Sequence, residues 1–141
     1  MMGEGYYSSS TGKVKVLKTD YRICDAKKNY VIFKYCTTGG EPCIDSYYSY
    51  NAATGKMKRL TSKAEDYSYA VGKNRFYYVY WPKDAGYDKA QTFQVKSCKL
   101  DGTDYKTHTG KFQARYITGI TTKYVTYENM SDGKVHKLNF K

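Results

Sequence analysis

Apolar and polar residues alternate along much of this chain with a period of two, as in Lys13-Val14-Lys15-Val16. That is the pattern of strands with one face turned inward. Three segments are apolar or aromatic on both faces: residues 29–35 (NYVIFKY), 75–81 (RFYYVYW) and 123–127 (KYVTY). They are expected to lie in the middle of a layered fold, sandwiched on both sides. A shorter strand is expected before each, at Tyr21 to Cys24, Tyr67 to Val71 and Tyr116 to Ile120. Gly72-Lys73-Asn74 predicts a tight turn between one such pair, and Lys27-Lys28-Asn29 resembles another. No helical periodicity of useful length occurs, which predicts an all-β chain.

The strands follow an internal period. Three segments align: residues 4–17, residues 45–61 and residues 95–107, each a strand, a turn containing glycine and a second, basic strand. The turn glycines Gly12, Gly55 and Gly102 are spaced 43 and 47 apart. With the strands of one unit labelled a to d, the chain reads c-d, a-b-c-d, a-b-c-d, a-b-c. The expected fold is therefore repeated four-stranded antiparallel units, about three of them, in one domain spanning residues 1–141. Both prolines, Pro42 and Pro82, fall in b–c loops, where a missing N–H costs little.

A four-stranded unit of this length is the size of a β-propeller blade. The run from Tyr47-Tyr48-Ser49-Tyr50-Asn51 to Thr54-Gly55-Lys56-Met57-Lys58-Arg59-Leu60-Thr61 resembles the outer strands of propellers of the TolB type. Leu100-Asp101-Gly102-Thr103-Asp104-Tyr105-Lys106-Thr107 is similar to the LDGT phrase that closes the blades of a bacterial family of unknown function. The resemblance implies propeller-like blades and a parent protein that is bacterial and exported or at the cell surface. Most propellers have four to eight blades, more than this chain supplies. Tyr-Tyr followed by Thr-Gly-Lys-Met also resembles choline- or glucan-binding repeats of cell-surface proteins. Those recur at about half this period and carry Gly-Trp, which is missing here.

Composition sharpens this picture. Leu, Ile, Val and Phe number only 22, which alone would raise the question of disorder. Eighteen tyrosines answer it, because Tyr favours strands and buries a large apolar body. The formal charge of +11 permits nucleic acid, an anionic polymer or a membrane surface as partner. The lysines are scattered singly on strands, as on a solvated face guarded against edge pairing. No apolar run is long enough for a membrane helix, and Met1-Met2-Gly3-Glu4 begins no signal peptide, so an exported parent would need a leader outside this chain.

Motifs for catalysis are lacking: no GxSxG, HExxH, P-loop or GxGxxG occurs. His108 and His136 are expected as exposed surface histidines, and the carboxylates Glu65-Asp66 and Asp101/Asp104 as turn residues. No metal site or cofactor is expected from cysteines at 24, 36, 43 and 98 without a CxxC. Cys36 and Cys43 flank a six-residue hairpin loop, and either face each other in a disulfide or remain separate thiols. The expectation is thus a non-enzymatic binding module for a protein or glycan.

Its candidate surface is the face of the b–c loops, residues 36–43, 82–90 and 129–133 (fold analogy). The candidate residues are Trp81, Lys83, Tyr87 and Lys89 on the longest loop, with Tyr35 beside the first. Trp81 either stacks on a ligand or closes the end of the core. The rival is a single-stranded nucleic-acid binder, since aromatics interleaved with lysine suit base stacking. Their spread over all units, with no cluster on one, argues against it. Finally, Tyr6–Ser8 and Lys13–Lys18 are expected beside the C-terminal strands Tyr116–Asn129 and Lys134–Phe140, in the same chain or in a homodimer, to cover open edges.

Overall fold

A computed structural model describes residues 5–7, 14–16, 21–36 and 44–141. Every regular element in them is a β-strand: β1 (Gly5–Tyr7), β2 (Val14–Val16), β3 (Tyr21–Lys27), β4 (Tyr30–Cys36), β5 (Ile44–Asn51), β6 (Lys56–Val71), β7 (Arg75–Tyr80), β8 (Gln91–Lys99), β9 (Lys106–Thr107), β10 (Phe112–Ala114), β11 (Tyr116–Ile120), β12 (Tyr124–Glu128) and β13 (Val135–Asn139). All pairings are antiparallel. An eight-stranded sheet runs β3-β4-β5-β6-β7-β8-β10, with β9 also on β8; β11-β12-β13 form a three-stranded sheet and β1-β2 a pair. Among the described residues no sheet closes on itself.

The eight-stranded sheet folds back on itself at β6. Its first half pairs with β5 and its last residues with β7, and Ala64 belongs to both ladders, opposite Asp45 on one side and Tyr80 on the other. Register shifts lie on either side of this junction. A strand that passes from one layer to the next through such irregularities makes a corner. The separate strand expected at Tyr67 to Val71 is the end of this one long strand. No Gly or Pro interrupts residues 56–71, so nothing there breaks the ladder.

Two apolar cores follow. In the first, Ile32 of β4, Tyr47 of β5, and Leu60 and Ala64 of β6 meet Phe76 and Tyr78 of β7, Cys98 of β8, and Leu100. In the second, Val79, Trp81, Phe93 and Val95 meet Ala114 and Val125, with Ile117, Leu138 and Phe140 alongside. Successive side chains of a strand point to opposite faces. Along β7, Phe76 and Tyr78 therefore enter the first core and Val79 the second, joined there by Trp81 just after the strand. The β7–β8 ladder is thus a middle layer buried on both faces, as its sequence predicted.

The expected turns are present. Lys28 takes a left-handed conformation (φ 55°) between β3 and β4. The amide of Gly72 donates to the Arg75 carbonyl at 2.8 Å between β6 and β7. Gly102 (φ 78°) turns the chain after β8, and the aliphatic stem of Lys58 lies against its Cα. Glu65 and Asp66 lie within β6, not in a turn, and Glu65 pairs with Ile44 of β5. The turn at Gly12 lies outside the described residues. Pairing of the terminal strands within one chain is not found among them: β1 and β2 pair with each other, and β13 pairs with β12. The β4–β5 hairpin places Cys36 opposite Asp45, while Cys43 and the loop before it lie outside the described residues.

Candidate functional site

The loop between β7 and β8, residues 82–90, is shaped from its base by one residue. Gln91 opens β8 and is buried. Its Oε1 accepts from the Trp81 indole N–H at 3.0 Å and from the Ala85 amide at 2.7 Å. Its Nε2 donates to the carbonyls of Gly86 and Lys89 at 3.2 and 3.3 Å. Both polar ends of the amide are thus used to hold the loop. Above this base, Asp84 Oδ1 accepts from the Gly86 amide at 2.9 Å, an Asx-type turn. Gly86 and Asp88, on either side of Tyr87, take positive φ of 108° and 58°.

Trp81 is not a stacking platform in this arrangement. It is 5% exposed, its ring centroid lies 5.9 Å from that of Phe93, and its one polar group is consumed by Gln91. Its burial drives loop placement, since a buried indole needs an acceptor and Gln91 supplies it. Tyr87 is the opposite case, 93% exposed at the loop tip. Lys83 and Lys89 are exposed on either side of it. Tyr35 lies three strands away in the sheet, half-buried, with its ring 5.3 Å from that of Tyr21. The structure therefore gathers Lys83, Tyr87 and Lys89 on one loop, leaves Tyr35 apart and places Trp81 beneath. Gln91 was not singled out in the sequence, because a lone Gln at a strand start carries no signal.

A second polar cluster lies on β7, β8 and the segment after β9. Ser97 is fully buried, and its Oγ lies 2.6 Å from His108 Nε2. Arg75 Nε donates to the same oxygen at 3.0 Å, and Arg75 Nη1 donates to Asp104 Oδ2 at 2.8 Å. Arginine can only donate, so the Ser97 oxygen accepts from Arg75, while the direction of its bond with His108 Nε2 follows the imidazole tautomer. The imidazole is not the exposed surface group expected: it packs between Tyr77 and Phe140, at 5.2 and 5.3 Å between ring centroids.

Serine, histidine and aspartate are thus close, but not in the order catalysis needs. The carboxylate engages Arg75 and does not orient the histidine, and the serine oxygen is shut from solvent. Arg75 holds the Asp104 carboxyl below its ordinary range. Burial, then the Arg75 and Lys106 charges, keep the His108 pKa below its usual 6.5. Cys98 is a buried thiol pushed up to about 12 by desolvation, which makes it a poor nucleophile.

His136 pairs with Asp132 at 2.8 Å on the β12–β13 turn. Among the described residues, no group of His, Cys, Asp and Glu is arranged to hold a metal ion. No helix there is long and apolar enough to cross a membrane, which says nothing of a β-barrel.

Compared with protein-family models and with curated proteins, the chain matches none.

Proposed function

We propose that this chain is a non-enzymatic binding module whose layers are propeller-like blades, and that residues 82–90 present its ligand-binding surface. The observation that carries the reading is the contrast within one loop: a base fixed by four hydrogen bonds to Gln91, and a tip holding Tyr87 almost wholly in solvent. Binding residues favour loops held by a rigid scaffold, and an exposed tyrosine beside lysines offers a flat ring and hydrogen-bonding groups. A glycan ring suits this tip, and a protein surface is the broader alternative. The blade reading is supported by the strand order of the large sheet, in which β3-β4-β5-β6 and β6-β7-β8-β9 repeat the four-stranded unit of the sequence. A bacterial parent, exported or at the cell surface, and a second copy covering the terminal edges belong to the same reading.

The test is a glycan array probed with the wild-type protein and with Tyr87→Ala. The expected result is a set of retained glycans whose signal falls about tenfold in the variant, which at about 1.4 kcal/mol is the scale of one exposed contact, with an unchanged melting temperature. Equal signals from both proteins on uncharged glycans, or no uncharged glycan retained by the wild type, would remove the glycan-binding role of this loop.

A further inference from the structure

The three turns that join the shorter strand to the apolar strand of each layer lie at the strand ends opposite the 82–90 loop. They are Lys27-Lys28-Asn29, Gly72-Lys73-Asn74 and Thr121-Thr122-Lys123. The fold brings them side by side. Lys28 Nζ donates to Asn74 Oδ1 at 2.5 Å, linking the first turn to the second. The second meets the third at Gly72, where an added methyl group would lie 3.3 Å from Thr122 Cγ2. Lys27, Lys28, Lys73 and Lys123 are all exposed, and among the described residues none is in an ion pair.

We propose that these turns form a linear cationic ridge that binds an anionic polysaccharide laid across the layers. Packed sheets repeat at about 10 Å, so the ridge offers a positive charge at about that interval along a line. Its bond to a neutral amide leaves the charge on Lys28 uncompensated. The end of the chain extends the ridge, since the Phe140 backbone amide donates to the Lys123 carbonyl at 2.9 Å and brings the exposed Lys141 after it.

Among the described residues, the neighbouring carboxylates hydrogen-bond elsewhere and none pairs with a ridge lysine. Asp25 Oδ1 accepts from the Ala26 amide at 2.7 Å, Asp101 Oδ1 from the Thr103 amide at 3.1 Å, and Asp104 is held by Arg75. The turns carry no aromatic residue. Single-stranded nucleic acid is held by basic grooves together with stacking rings. A ridge of lysines, asparagines and threonines instead suits a polymer read by its charges and hydroxyls. Scattered in sequence, these lysines gave no cluster; only the stacking of layers aligns them.

The ridge is separable from the Tyr87 loop, and its test uses a different probe. Affinity for heparin would be measured by calorimetry for the wild type, for the triple variant Lys28→Gln, Lys73→Gln, Lys123→Gln, and for a control with the same charge loss, Lys63→Gln, Lys111→Gln, Lys134→Gln. The expected result is a loss of about tenfold or more in the ridge variant, a shallower dependence on salt and less than about twofold in the control, because only site-bound charges release counterions on binding. Tyr87→Ala should leave heparin binding unchanged. Equal losses in both triple variants would assign the affinity to diffuse net charge and overturn the ridge. Tighter binding of an oligothymidylate than of heparin by the wild type would overturn the polysaccharide assignment.

Discussion

At the scale of single residues, the burial of His108 ties stability to pH. The ring is hydrogen-bonded to Ser97 and faces Tyr77 on β7, Phe140 after β13, and the cations Arg75 and Lys106. Protonation would add a third cation to this partly buried site. Its folded pKa lies below 6.5, so between the two values the unfolded chain binds a proton that the native chain does not. Stability is then full above 6.5 and falls as pH drops through that value, levelling off once the folded ring protonates as well. Thermal melts between about pH 7.5 and pH 5.5, where carboxylates change little, should show a falling midpoint in the wild type and a flatter profile in His108→Gln. Identical slopes in the two proteins would show that His108 does not set this dependence.

At the scale of elements, alternation made most strands readable. β4, β7, β11 and β12 fall within a residue or two of their expected positions, because their aromatic and β-branched runs are bounded by Gly, Asn and Lys turns. β6 was hidden for the opposite reason: two strands of the pattern merge with no Gly or Pro between them, and Glu65-Asp66, read as turn residues, continue the strand. The same limit applies to the candidate site. Tyr87 was legible as a loop aromatic, but the fate of Trp81 depends on Gln91 ten residues later and on Phe93, partners that only the hairpin brings near.

The corner in β6 has little room. Ala64 is fully buried and serves two ladders at once. Replacing it by Leu should force both layers apart and cost about 1–3 kcal/mol, the usual range for overpacking. Urea denaturation of Ala64→Leu would measure this, with Lys63→Leu as the exposed neighbour that should change stability by no more than about 0.5 kcal/mol. An Ala64→Leu protein as stable as wild type would mean that the corner is not tightly packed.

At the scale of the whole molecule, the β7–β8 ladder decides how the layers unfold. Phe76, Tyr78 and Cys98 project into one core, and Val79, Phe93 and Val95 into the other, from directly paired positions such as Phe76 opposite Cys98 and Val79 opposite Val95. Neither core can be exposed without stripping one face of this ladder, so loss of one layer weakens the support of the next. Val95→Ala deletes two methyl groups at a fully buried position in the second core. It should cost about 1–3 kcal/mol, from about 0.8 kcal/mol per buried methylene plus a cavity. Ile32→Val, in the first core, should cost about 0.5–1.5 kcal/mol.

Each substitution should shift a single transition as a whole, with tyrosine fluorescence and far-ultraviolet dichroism changing together. Hydrogen exchange near global protection would then be found for the amides of both Tyr78 and Val125, although they sit in different layers. Two separated transitions, with Val95→Ala moving only one and Ile32→Val only the other, would show that the layers fold independently and that the shared ladder does not couple them.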